Sequence, residues 1–137
     1  MRETIFRGKT PSDDEYIDSG EWVEGYYTCF NGKEHRIYSG YSETDCGDYY
    51  PDWENVIPES VGQYTGLTDI NGKRIFEGDI VKGFYYYSDK EQRIFKVVYK
   101  ESAFFLVEKG GKEYLMFGLT VEVIGNIHDN PELLKDD

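Results

Sequence analysis

Between residues 79 and 127 the sequence holds five short runs rich in β-branched and aromatic side chains and dominated by a period of two, parted by brief polar or glycine-containing separators. The runs are DIVKGFYYY (79–87), RIFKVVYK (93–100), AFFLVEK (103–109), KEYLMFG (112–118) and VEVIGNI (121–127). In the second run Phe95, Val97 and Tyr99 share one face, and Lys96 and Lys100 share the other with Ile94 and Val98. A period of two places successive side chains on opposite sides of an extended chain, so these are strands. Their separators hold Ser88-Asp89, Glu101-Ser102, Gly110-Gly111 and Gly118, and no helix fits between them. Neighbouring runs are therefore expected to pair antiparallel. Five such strands in so short a length fit a small closed barrel, which also removes exposed edges.

The first half reads differently. EWVEGYYTCF (21–30), Asn31-Gly32 and KEHRIYS (33–39) form a hairpin pattern, because Asn-Gly supports the positive φ angles of a type I′ turn. ETIFRGK (3–9) reads as a short strand. Residues 10–20 read as an exposed polar loop, and residues 40–55 as a long acidic loop pinned by aromatics. VGQYTGLTDINGKRIFEGDIV (61–81) joins the two halves. Its Gly62, Gly66, Gly72 and Gly78 are expected to turn the chain, with Gly78-Asp79 leading into the first strand of the barrel. The expected organisation is an irregular, hairpin-containing region over residues 1–60 and a barrel over 61–137 that ends in a short helical turn. There Asn130 caps, Pro131 starts the turn, and Leu133 and Leu134 dock on the strands.

Aromatic residues make up 17% of the chain, with 13 tyrosines, which is enough to build a core. The formal net charge is −12. Residues 1–60 carry 14 acidic and 5 basic side chains, and residues 61–137 carry 13 and 10. An acidic first half repels phosphate backbones and disfavours nucleic acid as a partner. Two cysteines, Cys29 and Cys46, give no disulfide framework and lack CxxC spacing, so neither a metal site nor a cofactor is expected. A reducing bacterial cytoplasm with free thiols is the expected setting, with no membrane span.

No catalytic set assembles from the residues. His35 neighbours Cys29 across the Asn31-Gly32 hairpin if the register allows, but no third member is evident. His128-Asp129-Asn130 reads as a turn and cap, and Glu77 and Asp79 as a turn into a strand. Gly62–Gly66 lacks the ending of a phosphate loop. The candidate interface is aromatic: Trp22, Tyr26, Tyr27 and Trp53 in the acidic half, and Tyr85, Tyr86 and Tyr87, of which Tyr86 faces opposite its neighbours.

MRETIFRGK, GEWVEGYY, VGQYTGLTDINGKRIFEGDIV and VIGNIHDNPELL, in that order and spacing, resemble the YopX family of phage and prophage proteins, from Met1 to Leu134. The resemblance implies a mainly β chain whose C-terminal barrel is SH3-like. It also implies assembly as an intertwined homo-oligomer and brings no catalytic residues across. The expected function is thus a non-enzymatic one, through self-association or binding of a host or phage protein. The rivals are an acidic DNA mimic that inhibits a host nucleic-acid enzyme, a nucleic-acid-binding barrel using Lys96 and Lys100, and a hydrolase using Glu77, Asp79 or His35.

Overall fold

The computed structural model describes residues 4–12, 20–85, 90–116 and 120–135. The chain is mainly β, with two one-turn 3-10 helices at Pro58–Ser60 and Pro131–Leu134. It divides into two compact units, 1–63 and 64–137. Its strands make two antiparallel sheets, and the unit boundary falls within one strand, β5.

The first unit contains β1 (Phe6–Lys9), β2 (Trp22–Phe30), β3 (Glu34–Glu43) and β4 (Tyr49–Asn55), in the sheet order β4-β3-β2-β1. The start of β5 (Gly62–Thr68) pairs with β1. The Asn31-Gly32 hairpin forms as its sequence dictates. Both residues have positive φ, 54° and 66°, and the Lys33 N–H donates to the Phe30 carbonyl. The expected loop over 40–55 is instead largely strand: β3 runs on to Glu43, and β4 pairs with it from Tyr49. The pairing shifts register between Tyr38 and Gly40. Such a bulge breaks the period of two, which is why no alternation shows in the sequence there. The buried apolar side chains of this unit, among the described residues, are Ile37 and Val56. Val56 sits against Gly8, where any Cβ would meet its side chain at 2.8 Å. The Ile57 N–H donates to the Lys9 carbonyl, and the Lys9 N–H donates to Ser60 Oγ, which ties the 3-10 turn to β1.

The second unit holds the rest of β5, then β6 (Arg74–Phe76), β7 (Asp79–Phe84), β8 (Arg93–Lys100), β9 (Ala103–Glu108), β10 (Glu113–Leu115) and β11 (Thr120–Asn126). Strands β7 to β10 form a meander, and β11 returns beside β7 to give the order β10-β9-β8-β7-β11. The sheet ends at β10 on one side and β11 on the other, so the expected closed barrel is corrected to an open sheet. Alternation tells which face is apolar and which neighbours pair. Closure depends on strand tilt and stagger, which that pattern does not encode. The inward faces supply Val81, Phe95, Val97, Leu106 and Val121, each at most 1% exposed, with Phe104 and Tyr114 beside them. This continuous cluster is a core in its own right.

Three of the four expected turn glycines carry positive φ: Gly66 at 88°, Gly72 at 80° and Gly78 at 92°. Gly78 has a further duty, since its N–H donates to the Val97 carbonyl and its carbonyl accepts the Ile127 N–H. Gly62 does not turn the chain; it is buried within β5 opposite Arg7. Glycine marks a packed strand as readily as a turn. Asp79, 1% exposed, accepts the Phe76 N–H at 2.7 Å and so completes the Gly78 turn. Asn130 occupies the cap position but makes no side-chain cap bond, contrary to expectation. Its Oδ1 accepts the Asn126 N–H instead, while Asn126 Oδ1 accepts the N–H groups of His128 and Asp129.

Asp69 is the polar fastening of this unit. Its Oδ1 accepts the N–H groups of Asn71 and Lys73, and its Oδ2 accepts the Val123 N–H at 3.0 Å. One side chain thus closes the β5–β6 turn and holds it to β11. Burial pushes its carboxyl pKa up, but the three backbone donors and the Lys73 charge outweigh this and lower it below 3.8. The charged form is therefore favoured in the folded chain. Its stabilisation is fully present above the unfolded value near 3.8 and is lost as pH falls through the lowered folded value. Asp69→Asn should cost about 1–2 kcal/mol at neutral pH, and chemical denaturation below pH 4 (roughly the free carboxyl pKa) should show a flatter acid dependence than the parent. A second test lies in the β8–β9 hairpin, where Glu101 and Ser102 hold φ of 51° and 64°. Ordinary side chains strain there, whereas Asn-Gly does not. The double change Glu101→Asn, Ser102→Gly should raise stability by on the order of 1 kcal/mol, read from the denaturation midpoint.

Candidate functional site

The two faces of the β2-β3-β4 sheet are set by strand register. Tyr26 pairs with Tyr38, and Tyr38 with Trp53, so three aromatic rings cross the strands in one row on one face. The next row on that face is Thr28, Arg36 and Asn55. The Arg36 guanidinium lies 4.0 Å from the Trp53 ring centroid and 5.3 Å from that of Phe30. Its Nη2 also pairs with Glu34 at 3.3 Å. This stacking fixes a planar cation between two aromatic side chains. Alternation along β4 brings Tyr49 and Pro51 onto the same face as Trp53. Trp22 belongs to this face as well, at the β1 end, where the Arg7 guanidinium stands 4.6 Å above it.

Most of this aromatic surface meets solvent. Tyr26 and Tyr49 are 72% exposed, Tyr41 76%, Phe30 46% and Trp53 41%. Among the described residues, the first unit therefore exposes more large apolar side chains than it buries. An open depression along β4 is lined by Ser39, Tyr50, Pro51, Asp52, Trp53 and Glu54. Asp52 there receives the Ser42 hydroxyl at 2.7 Å.

Tyr27 points the other way. On that face it packs against Phe6, and its hydroxyl shares a 2.6 Å hydrogen bond with His35 Nδ1. His35 stands directly opposite Cys29 in the hairpin, with Nε2 3.8 Å from Sγ. Burial, then the charge and hydrogen bond of Cys29, raise the Tyr27 phenol above its ordinary pKa. The hairpin register thus brings Cys29, His35 and Tyr27 into one line. The third member, Tyr27, lies two positions before Cys29 on β2 and so shares its face by alternation, while His35 reaches both from β3. The only signal was the Asn31-Gly32 turn, which fixes the register.

The remaining candidates fall elsewhere. Tyr85 is half-buried, with its ring 4.6 Å from Tyr114 and its hydroxyl donating to the Leu115 carbonyl, so it covers the core of its own unit. Tyr86 and Tyr87 lie outside the described residues. Lys100 Nζ pairs with Glu113 at 2.6 Å, and that hydrogen bond, larger than the opposing burial, raises its pKa. Lys96 lines a groove with Val107, Glu108 and Leu134, where the C-terminal turn docks as expected. Among the described residues no three His, Cys, Asp or Glu side chains gather in a metal-binding group, and no helix is long and apolar enough to cross a membrane.

One unit exposes an aromatic sheet face, and the other is an open antiparallel sheet over a small buried core; both are β-rich. The YopX protein family model matches residues 6–135, and the chain belongs to that family. Among solved structures it is similar to protein EF1440 from Enterococcus faecalis. The likeness has a TM-score of 0.62 at 25% identity, and covers 98% of this chain and 100% of that one. No curated protein matches.

Proposed function

We propose that this chain is a non-enzymatic binding protein that works through the aromatic face of β2, β3 and β4, first of all by self-association. The carrying observation is the imbalance of the first unit. Ile37 and Val56 are its buried apolar side chains among the described residues, against exposed Tyr26, Phe30, Tyr41, Tyr49 and Trp53 on one face of its sheet. A contiguous exposed aromatic surface is the composition of an interface core, with Tyr, Trp and Arg as the usual anchors. Arg36, already stacked on Trp53 and Phe30, presents such an anchor without further loss of side-chain freedom.

The second unit supplies the scaffold. Its order, a four-strand meander with the last strand returning beside the first, supports an SH3-like reading of its open sheet. Family membership supports a phage or prophage origin and action in the bacterial cytoplasm, on a host or phage protein. The pairing of Lys100 with Glu113 and the net charge of −12 speak against nucleic acid as the partner.

The test is sedimentation of the parent and of a triple variant, Tyr26→Ser, Tyr41→Ser, Tyr49→Ser. These side chains are well exposed, so each change should cost little stability. The parent should sediment as an oligomer and the variant as a single chain with unchanged circular dichroism. A parent that stays a single chain at all concentrations, or a variant that assembles equally well, would overturn the proposal.

A further inference from the structure

We infer that Cys29 and His35 form one half of a zinc-type metal site, whose other half is the same pair from a second copy of the chain. The geometry is the argument. Zinc takes thiolate sulfur at about 2.3 Å and imidazole nitrogen at about 2.0–2.1 Å in a tetrahedron, which sets the two ligand atoms roughly 3.5 Å apart. Cys29 Sγ and His35 Nε2 are 3.8 Å apart, within a small side-chain adjustment of that span. A cross-strand pair beside a tight turn holds this spacing without help from distant elements.

Tyr27 supplies what a ligating histidine ordinarily has. When Nε2 binds a metal, Nδ1 carries the proton and needs an acceptor, which orients the ring. Tyr27 Oη stands 2.6 Å from Nδ1 and fills that role. The Tyr27 and His35 rings also lie nearly parallel, at 13°, with centroids 6.0 Å apart, so the phenol meets the imidazole edge end-on through that hydrogen bond. The sulfur is exposed, which leaves it open to an ion from solvent. Binding releases the thiol proton to water, and no oxidant or reductant is involved.

Two ligands leave two positions of the tetrahedron open. No third His, Cys, Asp or Glu joins the pair among the described residues. Because the pair sits next to the Asn31-Gly32 hairpin tip, two hairpins brought tip to tip supply two sulfurs and two nitrogens, a Cys2His2 set. This face is opposite to the Tyr26–Trp53 row, so the metal contact is separate from the aromatic one and stands without it.

The test is a titration of reduced full-length chain with cobalt(II), followed by absorbance and by mass in solution, with zinc(II) as the displacing ion. The expected result is a sulfur-to-cobalt charge-transfer band and tetrahedral ligand-field bands that saturate at one metal per two chains. Mass should rise over the metal-free value, doubling it where the metal-free chain is a single copy and linking assemblies further where it is already an oligomer. Cys29→Ser and His35→Gln should each abolish the bands, and Cys46→Ser should leave them intact. Tyr27→Phe should keep the bands and weaken affinity about 10- to 100-fold. Absent bands in the parent, or bands that survive Cys29→Ser, would overturn the site. Saturation at one metal per chain without a change in mass would overturn its completion by a second copy. The metal-free mass reports on the aromatic face alone, so the two proposals fail separately.

Discussion

A β-sheet can leave one face to water, but apolar side chains on that face must find a cover or remain a cost. The two units of this chain meet that constraint unequally. In the second, the alternating faces of β7, β8, β9 and β11 converge on Phe95, Val97, Leu106 and Val121, and burial there is nearly complete. In the first, β2, β3 and β4 carry aromatic side chains outward, and Ile37 is the one buried apolar side chain on them among the described residues. Tyrosine and tryptophan tolerate such placement because each pairs an apolar ring with a polar handle. The same property suits them to a surface that is wet alone and dry when occupied.

The sequence was most readable where local chemistry and tertiary packing agree. Strands β8 and β9 alternate cleanly, their two-residue turn is short, and they pair as expected, with Val97 opposite Leu106. The Asn31-Gly32 turn was equally legible because its φ requirement is local. β4 was not legible. Its partner strand carries a bulge near Gly40, and its charged and aromatic residues all look outward, so no apolar period marks it. The open sheet of the second unit was missed for another reason: closure is a global property of tilt and stagger. Asp69 carries no signal of its own beside Gly72, although its carboxylate organises that turn, accepting the Asn71 N–H at 2.8 Å.

The grouping of the candidate site residues was not legible in the sequence. Tyr26 and Trp53 share a face through Tyr38, which no one-dimensional spacing reveals. Tyr27, one position from Tyr26, belongs to the opposite face and to the Cys29–His35 line. Tyr85 proved to be packing for Tyr114. In each case the deciding quantity is cross-strand register, and one hairpin turn sets it for both faces of the first unit.

The account rests on the first unit needing a neighbour that the second does not. Amide hydrogen exchange on the intact, metal-free chain, measured across a wide range of protein concentration, reads this directly. Protection of the β2 to β4 amides should rise with concentration, while that of β7 to β9 stays constant, because local opening reports each region's own stability. Equal and concentration-independent protection of both regions would contradict it.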